Sequence, residues 1–237
     1  MSDGWWVEER TGDAASLHAV WPGVEDRPDR RALAVCRVTG PAVVLGSTQS
    51  EDVVDRSRAA AAGIAVARRR SGGGVVLVTP DDPAWVDVWV PAGDRLWRDD
   101  VGRAFDWLGD TWVAALSGLG IDGVSTHRGG YVSCTRWATS VCFGGVGTGE
   151  VVAADGRKVV GLAQRRNRHG AWFHGACYRR WDPVPLVGLL AMSASEREAA
   201  STGLAGAAVG VSDLAARPGR GPVAGGDVAS SMVAALP

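Results

Sequence analysis

The chain has 237 residues, 46% of them hydrophobic and 22% charged, with a formal net charge of −1. This is an ordinary globular composition, sized for one large domain or a large domain with a small appendage. Near-neutrality argues against nucleic acid or an anionic membrane as the main partner, and no apolar run approaches the roughly 18 residues of a membrane span.

In chain order, residues 1–10 hold Asp3, Glu8 and Glu9 and do not read as a signal peptide. Residues 13–30 are polar, broken by Pro22 and Pro28, and read as a loop. Valine-rich segments 32–38 and 42–46, separated by Thr39-Gly40-Pro41, read as a hairpin. Ser50 looks like the cap of a helix running to Ala62 and ended by Gly63. Residues 64–68 and 75–78 read as strands around a glycine turn at 72–74, and 84–90 as an alternating strand. The clearest helix spans 101–119, where Val101, Phe105, Leu108, Trp112, Ala115 and Leu119 recur at helical spacing. Short β-like pieces follow at 130–134, 140–143, 150–154, 158–164 and 171–177, then a helical stretch from Pro183 to about Met192. From 201 the chain is mostly small residues, with a helix expected near 227–235. Strands and helices in runs favour an α+β fold over a doubly wound one.

Cys36, Cys134, Cys142 and Cys177 show no CxxC and no zinc spacing, as expected of free thiols in a reducing cytoplasm. The eleven tryptophans are core or cleft-wall candidates. Arginines cluster at 68–70 and again at Arg165, Arg166 and Arg168, either as solvated surface or converging on one anionic ligand.

Two features carry chemistry. Lys158 is the only lysine among 25 basic residues and lies in the apolar, glycine-bracketed run Gly156-Arg157-Lys158-Val159-Val160-Gly161-Leu162-Ala163-Gln164. Lysine differs from arginine in being a compact charge that loses its proton when desolvated, so a lone survivor marks a place where guanidinium does not substitute, or the accident of a lysine-poor composition. The second is Arg68-Arg69-Arg70-Ser71-Gly72-Gly73-Gly74-Val75-Val76. Three glycines between strands form either a flexible hairpin or an anion nest, with arginines supplying forked hydrogen bonds. Neither the P-loop nor the GxGxxG pattern fits.

Together the two segments resemble the RRxSGGGxV and GRKVxGxA signatures of the lipoate–protein ligase and octanoyltransferase family, and Phe173-His174-Gly175 resembles the His-Gly strand that follows them. The resemblance covers residues 30–180 and implies an α+β fold: a mixed β-sheet flanked by helices, shared with biotin ligases and class II synthetase-like. It implies an N-terminal extension at 1–30, a catalytic domain at 31–192 and a small-residue tail at 193–237. It further implies that Lys158 orients the acyl carbonyl and stabilises the oxyanion. Arg68 or Arg69 would contact phosphate, and Ser71, Gly72, Gly73, Gly74 and Val75, with Gly161, Ala163, Gln164 and His174, would line the acyl or adenylate site. No resident metal is expected. The acceptor would be a lysine on a lipoyl domain of a 2-oxoacid dehydrogenase or on the glycine cleavage H protein.

Cys142-Phe143 matches, with a one-residue insertion before Lys158, the acyl-carrying cysteine of one octanoyltransferase branch, and Ala163-Gln164 resembles that branch's AQ. The implied route is a Cys142 thioester resolved by the target amine, with acyl carrier protein as donor and no ATP. The alternative is an ATP- and Mg2+-dependent lipoate ligase working through lipoyl-adenylate, with Cys142 an inert thiol. Departures from the pattern are Val78, where the family usually places a histidine, and a C-terminal part thin for acid activation. They favour transfer over self-sufficient ligation, and leave a non-catalytic acyl- or cofactor-binding member of the fold as a further alternative.

Overall fold

The computed structural model describes residues 4–20, 29–215 and 223–237. Among these, the first half of the chain holds β1 (Trp5–Gly12), α1 (Ala14–Ala19), β2 (Arg31–Val38), β3 (Ala42–Leu45), α2 (Arg56–Ala61), β4 (Ala65–Arg68), β5 (Val76–Val78), β6 (Ala84–Pro91) and α3 (Asp106–Gly118). Then come β7 (Val124–Thr126), β8 (Val132–Ser133), β9 (Gly145–Val146), β10 (Val151–Ala153), β11 (Lys158–Asn167) and β12 (Gly170–Cys177). Four helices complete it: α4 (Val184–Val187), α5 (Ala194–Ala205), α6 (Val211–Leu214) and α7 (Gly225–Ala234).

Seven strands form the main sheet in the order β1-β2-β6-β12-β11-β10-β7, and β4-β3-β5 form a second sheet beside it. β1 runs parallel to β2 and β4 parallel to β3, while the other pairs are antiparallel, so the sheet is mixed as expected. Period-2 alternation assigns the two faces of the main sheet different jobs. One face presents Leu33, Val35, Val86, Val88, Phe173 and Leu162, which pack in one core with Leu108, Trp112 and Leu116 of α3 and Val228 and Met232 of α7. The other presents the register row Ala34, Asp87, His174, Ala163 and the next row Cys36, Trp85, Ala176, Gly161. These rows are rich in small side chains and face the second sheet. Val43 and Leu45 on that sheet's far side pack against α4 and α5. The layers are therefore helices, sheet, sheet, helices, with room left between the sheets.

Several elements differ from expectation for identifiable reasons. The loop expected at 13–30 contains α1, because the Asp13 side chain accepts from Ser16 N and caps a helix whose Leu17 is buried; residues 21–28 lie outside the described residues. The 32–46 hairpin does not form. β2 and β3 are strands, but each is buried and they join different sheets, so residues 39–41 are a crossover. The helix expected from Ser50 is split: Ser50 caps a 3-10 turn (Glu51–Val53), Val54 bridges Leu190, and Asp55 caps α2. β6 forms as a strand where expected and is buried on both faces, because the second sheet and α1 cover its polar-looking side. The 101–119 helix begins at Asp106 after a 3-10 turn (Arg103–Phe105), and 140–143 is a 3-10 turn (Cys142–Gly144), not a strand. The helix expected through Met192 stops at Val187, and the bland tail contains α5, opened by a Ser193–Glu196 capping box. No helix of the described residues is long and apolar enough to cross a membrane.

Candidate active site

Between the two sheets lies a narrow apolar slot with a cavity volume of about 50 Å³. Val44, Val76 and Val78 wall it from the second sheet; Trp85, Gly161, Ala163, His174 and Ala176 floor it from the main sheet. The small residues of the facing rows leave this space, and Val78, where the family pattern has a histidine, is simply apolar wall. A wider cleft of about 310 Å³ adjoins it, lined by Gly72–Gly74, Tyr131, Cys142, Glu150, Lys158 and Gln164 among others. Cys142, Leu162 and Ala163 border both spaces. The thiol therefore stands where a buried chain would meet an open cleft.

The glycine turn is held from below. Arg69 is 5% exposed and donates through Nε and Nη2 to Gly72 O, through Nη1 to Val44 O and through Nη2 to Gly74 O. Burial lowers its pKa from the ordinary arginine value. Arg68 Nη1 donates to Gly46 O and Gln49 O at 2.9 and 2.7 Å. The two arginines that the resemblance assigns to phosphate are thus engaged with backbone carbonyls. Gly73 has φ of +98°, open to glycine at little cost. A Cβ on Gly74 would come within 2.6 Å of Cys142 N, so only glycine lets the turn lie against the cysteine's backbone. Val75 completes the clasp: its N–H donates to Ser140 O at 2.7 Å, and its carbonyl accepts from Cys142 N at 3.1 Å.

Lys158 opens β11 with its side chain 2% exposed. Its Nζ sits 2.7 Å from Glu150 Oε2 and donates to Cys142 O at 2.9 Å and Gly145 O at 3.1 Å. Cys142 Sγ lies 3.9 Å from the same nitrogen. Burial opposes the ammonium, but the charges of Cys142, Glu150 and Tyr131 outweigh it, and the lysine pKa is raised above its ordinary value. Glu150 is itself fixed, accepting from Gly147 N at 2.7 Å and Leu162 N at 2.9 Å. The backbone of Lys158 is pinned from the tail: its N–H donates to Ala207 O and its carbonyl accepts from Val209 N. With its three hydrogens directed at a carboxylate and two carbonyls, Lys158 acts on the thiol as a fixed positive charge.

The remaining sequence candidates divide. Gly161, Ala163 and His174 line the slot, while Gln164 lines the cleft and donates to Val101 O. Ser71 is buried and lines neither space; its carbonyl accepts from Ser47 N. Arg70 and Arg165 do come together, lining one depression with Arg68 and Asn167, whereas Arg166 lies over the Trp97 ring and donates to Arg98 O. Cys36 and Cys177 are buried and Cys134 is exposed, apart from the site. Glu150, His18, Asp87 and Tyr131 lie outside the motifs of the sequence. Asp87, a carboxylate inside an otherwise apolar strand, was the one with a visible signal.

The chain matches the family model described as Lipoyl protein ligase A/B catalytic domain over residues 21–235. Among curated proteins no sequence match is found. Among solved structures, a bi-partite lipoate protein ligase from Thermoplasma acidophilum, described with its E2 lipoyl domain, has a TM-score of 0.69 at 19% identity, covering 97% of this chain and 81% of that one. A T. acidophilum protein solved with bound lipoic acid gives 0.67 at 18%, covering 99% and 84%. Lipoate-protein ligase A bound with ATP gives 0.64 at 20%, also covering 99% and 84%. The fold likeness spans the whole chain, and the family match covers nearly all of it. The chain belongs to the lipoyl protein ligase A/B catalytic-domain family, enzymes that transfer or ligate lipoyl groups to protein lysines.

Proposed function

We propose that this chain attaches an octanoyl or lipoyl group to the acceptor lysine of a lipoyl domain, by way of a thioester on Cys142. The observation that carries this is the placement of one thiol at the junction of an apolar slot and an open cleft, 3.9 Å from a buried ammonium. The acyl chain lies in the slot with its carbonyl at Cys142. The thiolate attacks the carbonyl carbon of a carrier thioester such as acyl-acyl carrier protein, and the carrier thiol leaves with a proton. The lysine amine of the acceptor, a lipoyl domain or H protein, then enters through the cleft. It attacks the new thioester, loses its proton and expels the Cys142 thiolate. In both tetrahedral states the oxyanion develops near Lys158, whose charge is held in place by Glu150. The engagement of Arg68 and Arg69 with backbone carbonyls supports transfer over an adenylate route.

The second reading, an ATP- and Mg2+-dependent ligase, is favoured by one feature: Lys158 and the Gly72–Gly74 turn line one open cleft. Replacing Cys142 by Ser separates the two. Modification of a lipoyl domain from an octanoyl carrier donor disappears if the thioester route operates. Undiminished activity with lipoate and ATP would instead establish the ligase.

A further inference from the structure

Beside the cleft lies a basic depression of about 500 Å³, lined by Ser47, Arg68, Arg69, Arg70, Arg165 and Asn167 and by no carboxylate. Arg68 and Arg69 are tied to backbone carbonyls, and Arg68 also lies 3.7 Å from Glu51 Oε1. Arg70 and Arg165 are exposed, and neither makes an ion pair among the described residues. Exposed arginines elsewhere, such as Arg56, Arg58 and Arg128, each hold an aspartate or a glutamate. Asn167 Oδ1 accepts from His169 N and Gly170 N at 2.7 and 3.1 Å, which leaves the NH2 group as its free end. The strands that build the site also place this depression. Arg70 stands just before the Gly72–Gly74 turn and Arg165 directly after Gln164, and both the turn and Gln164 line the cleft. The depression itself shares no lining residue with the cleft, so it lies to one side of it.

A lining of hydrogen-bond donors and unneutralised positive charge, in a chain whose net charge is −1, fits an anionic partner. Exposed, unpaired arginines speed encounter more than they tighten holding, which suits a protein that docks and leaves in every cycle. Two proteins do so in the function proposed above, the acyl donor and the acceptor. The acceptor amine is carried only on the four methylenes of a lysine side chain, so its domain must sit at the cleft mouth itself. The donor thioester rides on a long flexible arm, so its carrier can dock to one side, where this depression lies. We propose that Arg70, Arg165 and Asn167 form the docking surface for an acidic face of the acyl carrier protein, beside the cleft through which its thioester reaches Cys142. This rests on the thioester route proposed above.

The rate of adduct formation is measured by intact mass with two donors, octanoyl-acyl carrier protein and the small neutral thioester octanoyl-N-acetylcysteamine. In Arg70→Ala/Arg165→Ala the second-order rate constant with the carrier is expected to fall about tenfold, and its decline with added KCl to flatten. The small donor is expected to react within about twofold of the wild-type rate, and transfer from the loaded enzyme to a lipoyl domain to change as little. Arg165→Glu, outside the glycine turn, is expected to show the same split and serves where the double variant does not fold by circular dichroism. An unchanged carrier rate overturns the proposal, and so does an equal loss with both donors. A loss confined to transfer onto the lipoyl domain also overturns it, by giving the surface to the acceptor. Carrier binding is read separately by biolayer interferometry, where the double variant is expected to bind about tenfold more weakly and equal binding overturns the proposal. A wild type that binds the carrier but takes no acyl group refutes the thioester route, and weaker binding by the variant then still supports the surface.

Discussion

Replacing Glu150 by Gln removes the one carboxylate among the described residues that touches Lys158, itself 2% exposed, while keeping its shape. Deleting one member of a buried ion pair costs roughly 3–5 kcal/mol, because the remaining charge stays out of water. Here the Gly147 N–H also loses its charged acceptor, while Lys158 keeps two carbonyl partners. The two adjustments oppose each other, so about 3 kcal/mol at pH 7 is expected. The pH dependence follows from the sign of the shift. In the wild type the folded Lys158 pKa is raised, so its stabilisation is fully present below the unfolded lysine value of about 10.4 and is lost as pH rises through the folded value. In Glu150→Gln burial acts with less opposition and lowers the lysine pKa from the wild-type value. The penalty is then greatest near neutrality and is relieved as the lysine sheds its proton. Urea unfolding followed by tryptophan fluorescence at pH 7 and pH 10 should show the gap between the two proteins narrowing with pH. A loss under about 1 kcal/mol at pH 7, or a gap that widens, would refute this account of the pair.

Other substitutions probe the clasp around Cys142. Lys158→Arg places a planar guanidinium where three acceptors converge on a point charge, and acyl transfer should fall by about 10² in a single-turnover assay; near-wild-type turnover would contradict the role of a fixed ammonium. Gly74→Ala drives a methyl to 2.6 Å from Cys142 N, and should destabilise by about 1–3 kcal/mol and displace the thiol; thermal melting and thiol-reagent kinetics would register both. Arg69→Met leaves the carbonyls of Gly72, Gly74 and Val44 without their donor, and should cost about 2–4 kcal/mol by urea titration. A neutral result there would return Arg69 to the phosphate role that the resemblance implies.

The site's spine was legible because its motifs are local in sequence. The glycine turn and Lys158 sit in segments whose composition is unusual, Cys142 stands out only through the resemblance, and the fold brings the three together. What was illegible is long-range. Glu150 follows a glycine-rich stretch that gives no hint of burial, and it becomes a partner of Lys158 only because β10 pairs with β11. His18 lies in the Pro-broken stretch 13–30, which reads as a loop, although Asp13 three residues before Ser16 is an ordinary capping signal. The supposed hairpin at 32–46 failed because adjacency in sequence does not say which sheet a strand joins; both strands are buried, so neither carries the alternation that would have told. The tail looked bland since its alanines and glycines pack by shape, yet residues 207–209 hold the backbone of Lys158.

The central claim is that Cys142 carries the acyl group. Intact-mass spectrometry of the purified protein mixed with octanoyl-acyl carrier protein, without ATP, tests it most directly. The account predicts a single octanoyl adduct that maps to Cys142, is released by hydroxylamine, and is consumed when a lipoyl domain is added. An unmodified protein that nonetheless acylates the domain, or an adduct at another residue, would contradict it.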